Sequence, residues 1–224
     1  DRRKLSLVEK ARDFAESDLG LKHTQNYETF VLLDLPYVSY VVNAAPKNKL
    51  EHHMWHYPVV GSMPYKGFPT PEEAKTEAEN LKDLGLDTYV RGVSAYSTLG
   101  WFKDPIFSSM LRYPDHDLVN TIIHETVHAT IYIKSQADFN ERLAVFVGNL
   151  GTELFYLKFE GADSATLRKI RTENNDQKLF SEFISKELKD LSEWYAKNPS
   201  FSEKQREDRL NEIKVNFVSN LKSK

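Results

Sequence analysis

The feature that most constrains this chain is the run His124-Glu125-Thr126-Val127-His128. Two side chains four residues apart share one face only if the segment that carries them is helical. On a helix, two histidines at this spacing with a glutamate after the first are typical of zinc metallopeptidases. The first question is therefore whether the neighbouring residues allow a helix.

The residues around this run favour a helix, since Leu118 to Lys134 contain no Gly or Pro. We expect Asp115 or Asp117, after Pro114, to cap its amino end, and we expect the helix to end near Lys134. Many of its residues are β-branched, which lowers helix propensity, so tertiary packing has to stabilise it and the helix should be buried. The alternative is a core helix whose histidines only bond to neighbouring groups, and the correctly placed glutamate weighs against it.

A catalytic zinc takes three protein ligands and leaves its fourth position to water. Glu141 is the predicted third ligand, because a second helix is expected to begin around residues 139–141 after a short connection, and helices joined by so short a loop lie side by side. A capping box of Asp138 and Glu141 is the alternative, in which Glu141 only satisfies backbone donors. The other candidate ligands, less well placed on the same argument, are Asp138, His116, Asp115 and Glu153.

The chemistry that such a site predicts is hydrolysis by metal-activated water. Zinc polarises a peptide carbonyl and lowers the pKa of its bound water toward about 7. Glu125 is the predicted general base, which takes a proton from that water and returns it to the leaving amine. Tyr96 is our first candidate for the donor that stabilises the oxyanion, with Tyr132 and Arg91 as weaker ones. A structural aromatic at a strand end is the alternative interpretation of Tyr96.

Four stretches of the chain match a known pattern in order and spacing: residues 11–15, residues 64–68, residues 95–102 with Asp104-Pro105, and residues 124–141, which include Phe139-Asn140-Glu141. Through them the chain resembles the bacterial family of putative aminopeptidases, zinc proteins of the gluzincin kind, over nearly its whole length. The resemblance implies His124, His128 and Glu141 as zinc ligands, Glu125 as catalytic base, and an aminopeptidase activity.

The same resemblance bears on location and on cross-links. Relatives resemble exported lipoproteins with a longer amino-terminal segment, which implies a periplasmic or cell-envelope location and allows a lipid anchor on a segment before Asp1. Family members commonly have two cysteines flanking the Pro-Val-x-Gly stretch, where this chain has His56 and Ser62. We therefore expect no disulfide at that position.

Composition narrows the range of partners. The net charge is −3 with both signs interspersed, which gives no support for nucleic-acid binding. No hydrophobic run reaches the length of a transmembrane span. The expected partner is a peptide or protein substrate. An aminopeptidase also needs an anionic group for the substrate's ammonium, and the candidates Asp87, Asp104 and Glu51 leave exopeptidase and endopeptidase activity both open.

The predicted fold is α+β, a zincin-like core of a small sheet and the active-site helix, with a helical carboxy-terminal hairpin. We predict one domain over residues 1–224, in which residues 164–224 form a helical appendage. The expected elements are a helix from the capping box at residues 6–9 to Gly20, a hairpin of strands 27–33 and 37–44, a helix from Thr70 to Gly85, a strand over 86–96, and helices over 164–197 and 202–221.

A peptidase and a zinc-stabilised scaffold predict different features of this chain. In a peptidase, an edge strand over residues 92–101 would pair with the substrate backbone. The competing hypothesis is a non-catalytic scaffold or interaction module stabilised by zinc. A structural zinc site would fill the fourth coordination position with protein and would not require Glu125, so three protein ligands favour the enzyme.

Overall fold

The computed structural model describes residues 2–57, 61–94, 103–134 and 136–222. Helices make up 60% of the chain and the strands form small sheets, which confirms the mixed helix and sheet of the predicted α+β class. Contacts divide the chain into two compact units, residues 1–40 with 92–174 and residues 41–91 with 175–224. This division does not test the predicted single domain, which stays a prediction.

The helices are α1 (Arg2–Ser17), α2 (Pro71–Asp83), α3 (Asp115–Thr130), α4 (Ala137–Glu160), α5 (Ala165–Lys197) and α6 (Glu203–Lys222). The strands are β1 (Phe30–Val31), β2 (Ser39–Pro46), β3 (Trp55–Tyr57), β4 (Gly61–Met63), β5 (Lys66–Phe68), β6 (Leu86–Val93) and β7 (Ile106–Phe107). Within the described ranges, every helix falls short of the length or the apolar character that crossing a membrane requires.

The core of the first unit is built around α3, which packs against α1 and α4. The residues that α3 contributes are fully buried: Leu118, Val119, Ile122 and Ile123. The predicted burial of this helix is therefore confirmed. Because β-branched side chains disfavour an isolated helix, the free energy of this burial has to stabilise α3.

The ends of α3 differ from the prediction. The helix begins directly after Pro114, and no side chain in the described part of the chain caps it. Asp115 lies in the first turn and forms an ion pair with Arg3 of α1, so its charge is used in a tertiary contact. The helix ends at Thr130, one turn before the expected Lys134. Residue type alone predicted a side-chain cap, whereas in the structure Asp115 pairs with Arg3 of α1.

Two glycines on α4 allow close packing against α3. A Cβ added at Gly148 would lie 3.4 Å from the Cβ of His124, and one added at Gly151 would lie 3.1 Å from Cγ2 of Ile123. The 3.4 Å at Gly148 is an ordinary contact, whereas a Cβ at Gly151 would also lie 2.8 Å from Cδ1 of Leu19, so a larger residue at Gly151 would force its neighbours to move. The close approach of α4 to Ile123 therefore depends on Gly151.

The amino-terminal helix begins earlier than expected. α1 starts at Arg2, so the capping box predicted at residues 6–9 lies inside the helix. One face of the helix is apolar, and its residues Val8, Ala11 and Ala15 are fully buried in the first-unit core. The error therefore concerns only where the helix begins.

The predicted hairpin of strands 27–33 and 37–44 is wrong. β1 pairs in parallel with β7, and Phe30 lies opposite Ile106. β2 instead lies between β5 and β6 in a three-stranded sheet. Of the first expected strand only Phe30 and Val31 form β1, while the second overlaps β2, and residue type does not encode which distant segment pairs with either.

In the second unit, the elements next to this sheet follow the prediction closely. Thr70 caps α2, and its hydroxyl accepts a hydrogen bond from the backbone N–H of Glu73. The apolar face of this helix, formed by Ala74, Ala78 and Leu81, is buried. β3 and β4 form a separate antiparallel pair. This agreement reflects the local character of helix caps, which need only neighbouring residues.

The last two helices form the predicted hairpin. The ring of Phe217 in α6 lies 5.7 Å from that of Phe180 and 5.6 Å from that of Phe183 in α5. At the other end of the pair, Nε of Arg206 donates to the hydroxyl of Tyr195 at 3.2 Å. Residues early in α5 contact a residue late in α6, and a residue late in α5 contacts one early in α6, so the two helices are antiparallel.

The buried α3 generates a test of stability. Replacing the fully buried Ile122 by Ala should lower the free energy of unfolding by about 2–5 kcal/mol, because it removes transfer free energy and leaves a cavity. The matched control is Ile131→Ala, at a side chain 45% exposed, which should cost about 1 kcal/mol or less. Urea unfolding measures both, and equal costs would contradict the central position of α3.

Candidate metal centre

Three side chains from α3 and α4 meet at one point in the first unit. The Nε2 atoms of His124 and His128, one helical turn apart, are 3.2 Å from each other. Carboxylate oxygens of Glu141, in the second turn of α4, lie 3.6 Å from Nε2 of His124 and 3.2 Å from Nε2 of His128. The three residues form a group that could hold a metal ion.

The spacing of these atoms fits a small divalent ion. Nitrogen and oxygen ligands about 2.0 Å from a tetrahedral zinc ion stand about 3.3 Å apart. The separations of 3.2 to 3.6 Å match that spacing. The donor set of two imidazoles and one carboxylate therefore fits such a metal.

The surroundings of His124 favour the form of imidazole that binds a metal. Burial lowers the pKa of His124, and the neighbouring charge of His128 lowers it further, while the carboxylate of Glu141 acts in the opposite direction. A metal ion binds only the unprotonated imidazole nitrogen. The lowered pKa therefore keeps His124 available to a metal at neutral pH.

The connection between α3 and α4 is fixed by a residue that the sequence analysis did not single out. The side-chain oxygen of Asn140 accepts from the backbone N–H of Ile133 at 3.0 Å, and its amide nitrogen donates to the carbonyl of Ile133 at 2.8 Å. Asn140 is only 3% exposed, whereas its neighbour Glu141 has a side chain 63% exposed. This double hydrogen bond orients the first turns of α4, so that Glu141 faces the histidines.

A signal for Asn140 was present in the sequence. An asparagine just after a short loop at the start of a helix commonly bonds to nearby backbone groups. Within Phe139-Asn140-Glu141, the sequence alone predicts a role only for the glutamate.

The alternative third ligands are engaged elsewhere or lie apart from the histidines. The capping box is not formed, because Gln136 precedes α4 and the described residues provide no side-chain cap. Asp138 lies exposed in the first turn of α4. The other three have partners of their own: Asp115 pairs with Arg3, His116 contacts Glu173 at 2.9 Å, and Glu153 contacts Arg171 and Asn174.

The structure describes some of the predicted catalytic residues and not others. Glu125 is half-buried on α3 beside His124, and its role stays a prediction. Tyr96 lies outside the described residues, as does most of the expected edge strand over 92–101. Tyr132 is exposed in the connection between α3 and α4, and Arg91 belongs to the second unit.

The candidate anchors for a substrate ammonium also differ in position. Asp104 belongs to the first unit, where it is buried. Asp87 and Glu51 belong to the second unit, and both are paired with cations there, Asp87 with Arg206 and Glu51 with Lys49. Of the three, Asp104 is therefore the one in the unit that contains the histidines.

The Asn140 contact generates a test that separates metal affinity from stability. Asn140→Ala should weaken divalent-metal binding by about 10–100-fold, because the turn that presents Glu141 loses its anchor. Competition with a chromophoric chelator measures this affinity. The control is Asn120→Ala on α3, whose amide donates to Asn149 of α4 at 2.9 Å, and this variant should keep wild-type metal affinity. Equal affinities in both variants would remove the orienting role from Asn140.

Searches of curated proteins and of solved structures found no significant match. The profile of the family described as "Putative aminopeptidase" matches residues 1–224, the full length of the chain. The chain therefore belongs to the putative aminopeptidase family.

Proposed function

We propose that this protein is a zinc-dependent peptidase of the zincin type, in which His124, His128 and Glu141 hold the metal. The observation that carries the proposal is the meeting of two Nε2 atoms and one carboxylate at 3.2 to 3.6 Å. Membership of a family named for aminopeptidases supports peptide hydrolysis as the reaction. Two adjacent helices, one with the paired histidines and one with the glutamate, are what a gluzincin site requires.

Glu125 is the group that moves the proton. When bound, zinc supplies a Lewis acid that acidifies a water molecule and polarises the substrate carbonyl. Glu125 accepts the proton of the attacking water and donates it to the leaving amine. Glu125 follows His124 on α3, and its side chain is half-buried, so part of it remains open to solvent. His124 and His128 serve as ligands through Nε2 and take no part in the transfer.

A zinc-stabilised scaffold is the competing function, and the donor set favours the peptidase. A structural zinc site takes four protein ligands, whereas the group found within the described ranges offers three. A scaffold would also give Glu125 no chemical task. Three ligands, with a glutamate next to one of them, suit a site that leaves a position for water.

The finer assignment is to an aminopeptidase in the cell envelope. The family name supports cleavage next to a free amino terminus. Such cleavage needs a carboxylate near the metal to bind the substrate ammonium. Within the first unit, the buried Asp104 is the candidate that remains from the sequence analysis. The envelope location rests on the family resemblance alone.

The metal assignment has a direct test. Glu141→Ala should lower the zinc content of the purified protein to well below one ion per chain, because one of three ligands is removed. Asp138→Ala changes a carboxylate one turn earlier on the same helix and should keep the wild-type zinc content. Elemental analysis of both variants checks this. Full zinc content in Glu141→Ala would disprove the ligand role of Glu141.

The hydrolytic assignment has a second test. Glu125→Gln should keep zinc and fold while lowering kcat at least about a hundredfold, because the general base is lost and the ligands are unchanged. The probes are defined peptides with a free amino terminus and the same peptides with an acetylated one, analysed by mass spectrometry. Cleavage of the free peptides alone indicates an aminopeptidase, and cleavage of both an endopeptidase. Undiminished turnover by Glu125→Gln would overturn the mechanism.

A further inference from the structure

α4 carries large apolar side chains on two opposite sides. One side is buried, with Ala144 fully inaccessible and Phe155 2% exposed. On the other side, apolar side chains are 39–64% exposed, and we call them the outer stripe: Phe139, Phe146, Leu150, Leu154 and Leu157. A helix that is apolar on all sides is normally buried on all sides, because exposed apolar area costs free energy. The outer stripe is therefore a surface that a partner would stabilise.

The spacing of the outer stripe is that of a coiled coil. Together with the half-buried Leu143, its residues follow one another at steps of four, three, four, four and three along the chain. Apolar residues at alternating steps of three and four form a narrow seam along one side of a helix, and such a seam packs against a second helix. The spacing therefore indicates a helix as the partner.

Four members of the outer stripe are placed symmetrically along α4. Phe139, Phe146, Leu150 and Leu157 are separated by seven, four and seven residues, a spacing that is the same in both directions. If two α4 helices lie antiparallel about a two-fold axis at residue 148, Phe139 faces Leu157 and Phe146 faces Leu150 in both halves of the contact. A two-fold interface requires such a self-complementary surface, because both copies use the same residues.

The charges of α4 fit the same arrangement. Arg142 and Glu153 are eleven residues, about three helical turns, apart, so both lie on one flank of the outer stripe. The antiparallel pairing brings Arg142 of each copy beside Glu153 of the other. α4 as a whole carries four acidic and two basic residues, which disfavours an anionic membrane surface as the partner.

The area of this face is sufficient for a specific dimer. Residues 139–157 form a face about 27 Å long and 10–12 Å wide. Ile133, which bonds to Asn140, adds the exposed apolar side chains of the preceding connection at the amino end of α4. Two such faces together bury roughly 1,000 Å², the lower limit for a specific interface between proteins.

We propose that two copies of this chain associate through the outer stripe, as an antiparallel pair of α4 helices. Glu141 lies on the side of α4 that faces the histidines of α3, so the outer stripe and the metal centre occupy different sides of the helix. The dimer therefore does not depend on the proposed peptidase function, and either can fail without the other.

Sedimentation equilibrium of the whole chain tests the dimer. Leu150→Glu should weaken it at least about a hundredfold, because the two-fold axis buries the new carboxylate twice. The matched control is Leu32→Glu, at a side chain 75% exposed in the same unit but outside the stripe, which should leave the dimer unchanged. A wild type that stays monomeric up to about 0.1 mM, or equal dimer affinities in the two variants, would overturn the proposal.

A mixing experiment tests the antiparallel pairing. Phe146→Lys and Leu150→Glu should each be monomeric, with circular dichroism and Tm near wild type because both side chains are exposed in the single chain. In an equimolar mixture, the lysine of one chain faces the glutamate of the other, and the second Phe146–Leu150 layer is intact. The mixture should therefore dimerise at least about tenfold more tightly than either variant alone. A mixture that stays monomeric would refute the antiparallel pairing.

Flotation with vesicles of anionic phospholipid tests the other occupant of an apolar helix face. The wild type should stay unbound, because the acidic residues of α4 outnumber the basic ones. Vesicle binding that Leu150→Glu abolishes and Leu32→Glu keeps would assign the outer stripe to a membrane surface and overturn the dimer.

Discussion

The structure of the first unit depends on the burial of α3. Its sequence is a poor helix former, and its stability has to come from the apolar contacts that Ile122 and its neighbours make with α1 and α4. The same burial that stabilises the helix also dehydrates His124 and lowers its pKa. One physical effect therefore both builds the helix and prepares the imidazole for a metal.

The candidate metal centre also requires the short, fixed connection from α3 to α4. Asn140 bonds to both polar backbone groups of Ile133, while Gly148 permits α4 to lie close to His124. Together they determine where Glu141 is placed relative to the imidazoles. The three donor atoms come from two helices, so their spacing is set by backbone geometry rather than by side-chain flexibility.

The sequence predicted the features that depend on neighbouring residues. The cap of α2, its buried face and the helical character of residues 115–130 all follow from local pattern. The parallel pairing of β1 with β7 did not, because the two strands are joined by more than seventy residues and no local pattern identifies the partner.

In the candidate site, too, the sequence predicted the features that depend on residues close together in the chain. The two histidines and Glu125 are contained in five residues, and Glu141 follows from the length of one loop. Asn140 owes its significance to contacts with Ile133 that exist only in the folded chain. Tyr96 lies outside the described residues, so its predicted role stays a prediction.

The absence of a side-chain cap on α3 in the described chain affects how this unit folds. Lys4 donates to the carbonyl of Leu111 just before the helix, and Arg3 pairs with Asp115 in its first turn, so residues more than a hundred positions away stabilise the start of α3. Contacts of such long sequence separation form slowly, because loop-closure entropy opposes them. The start of the histidine-bearing helix therefore depends on contacts whose formation loop-closure entropy opposes.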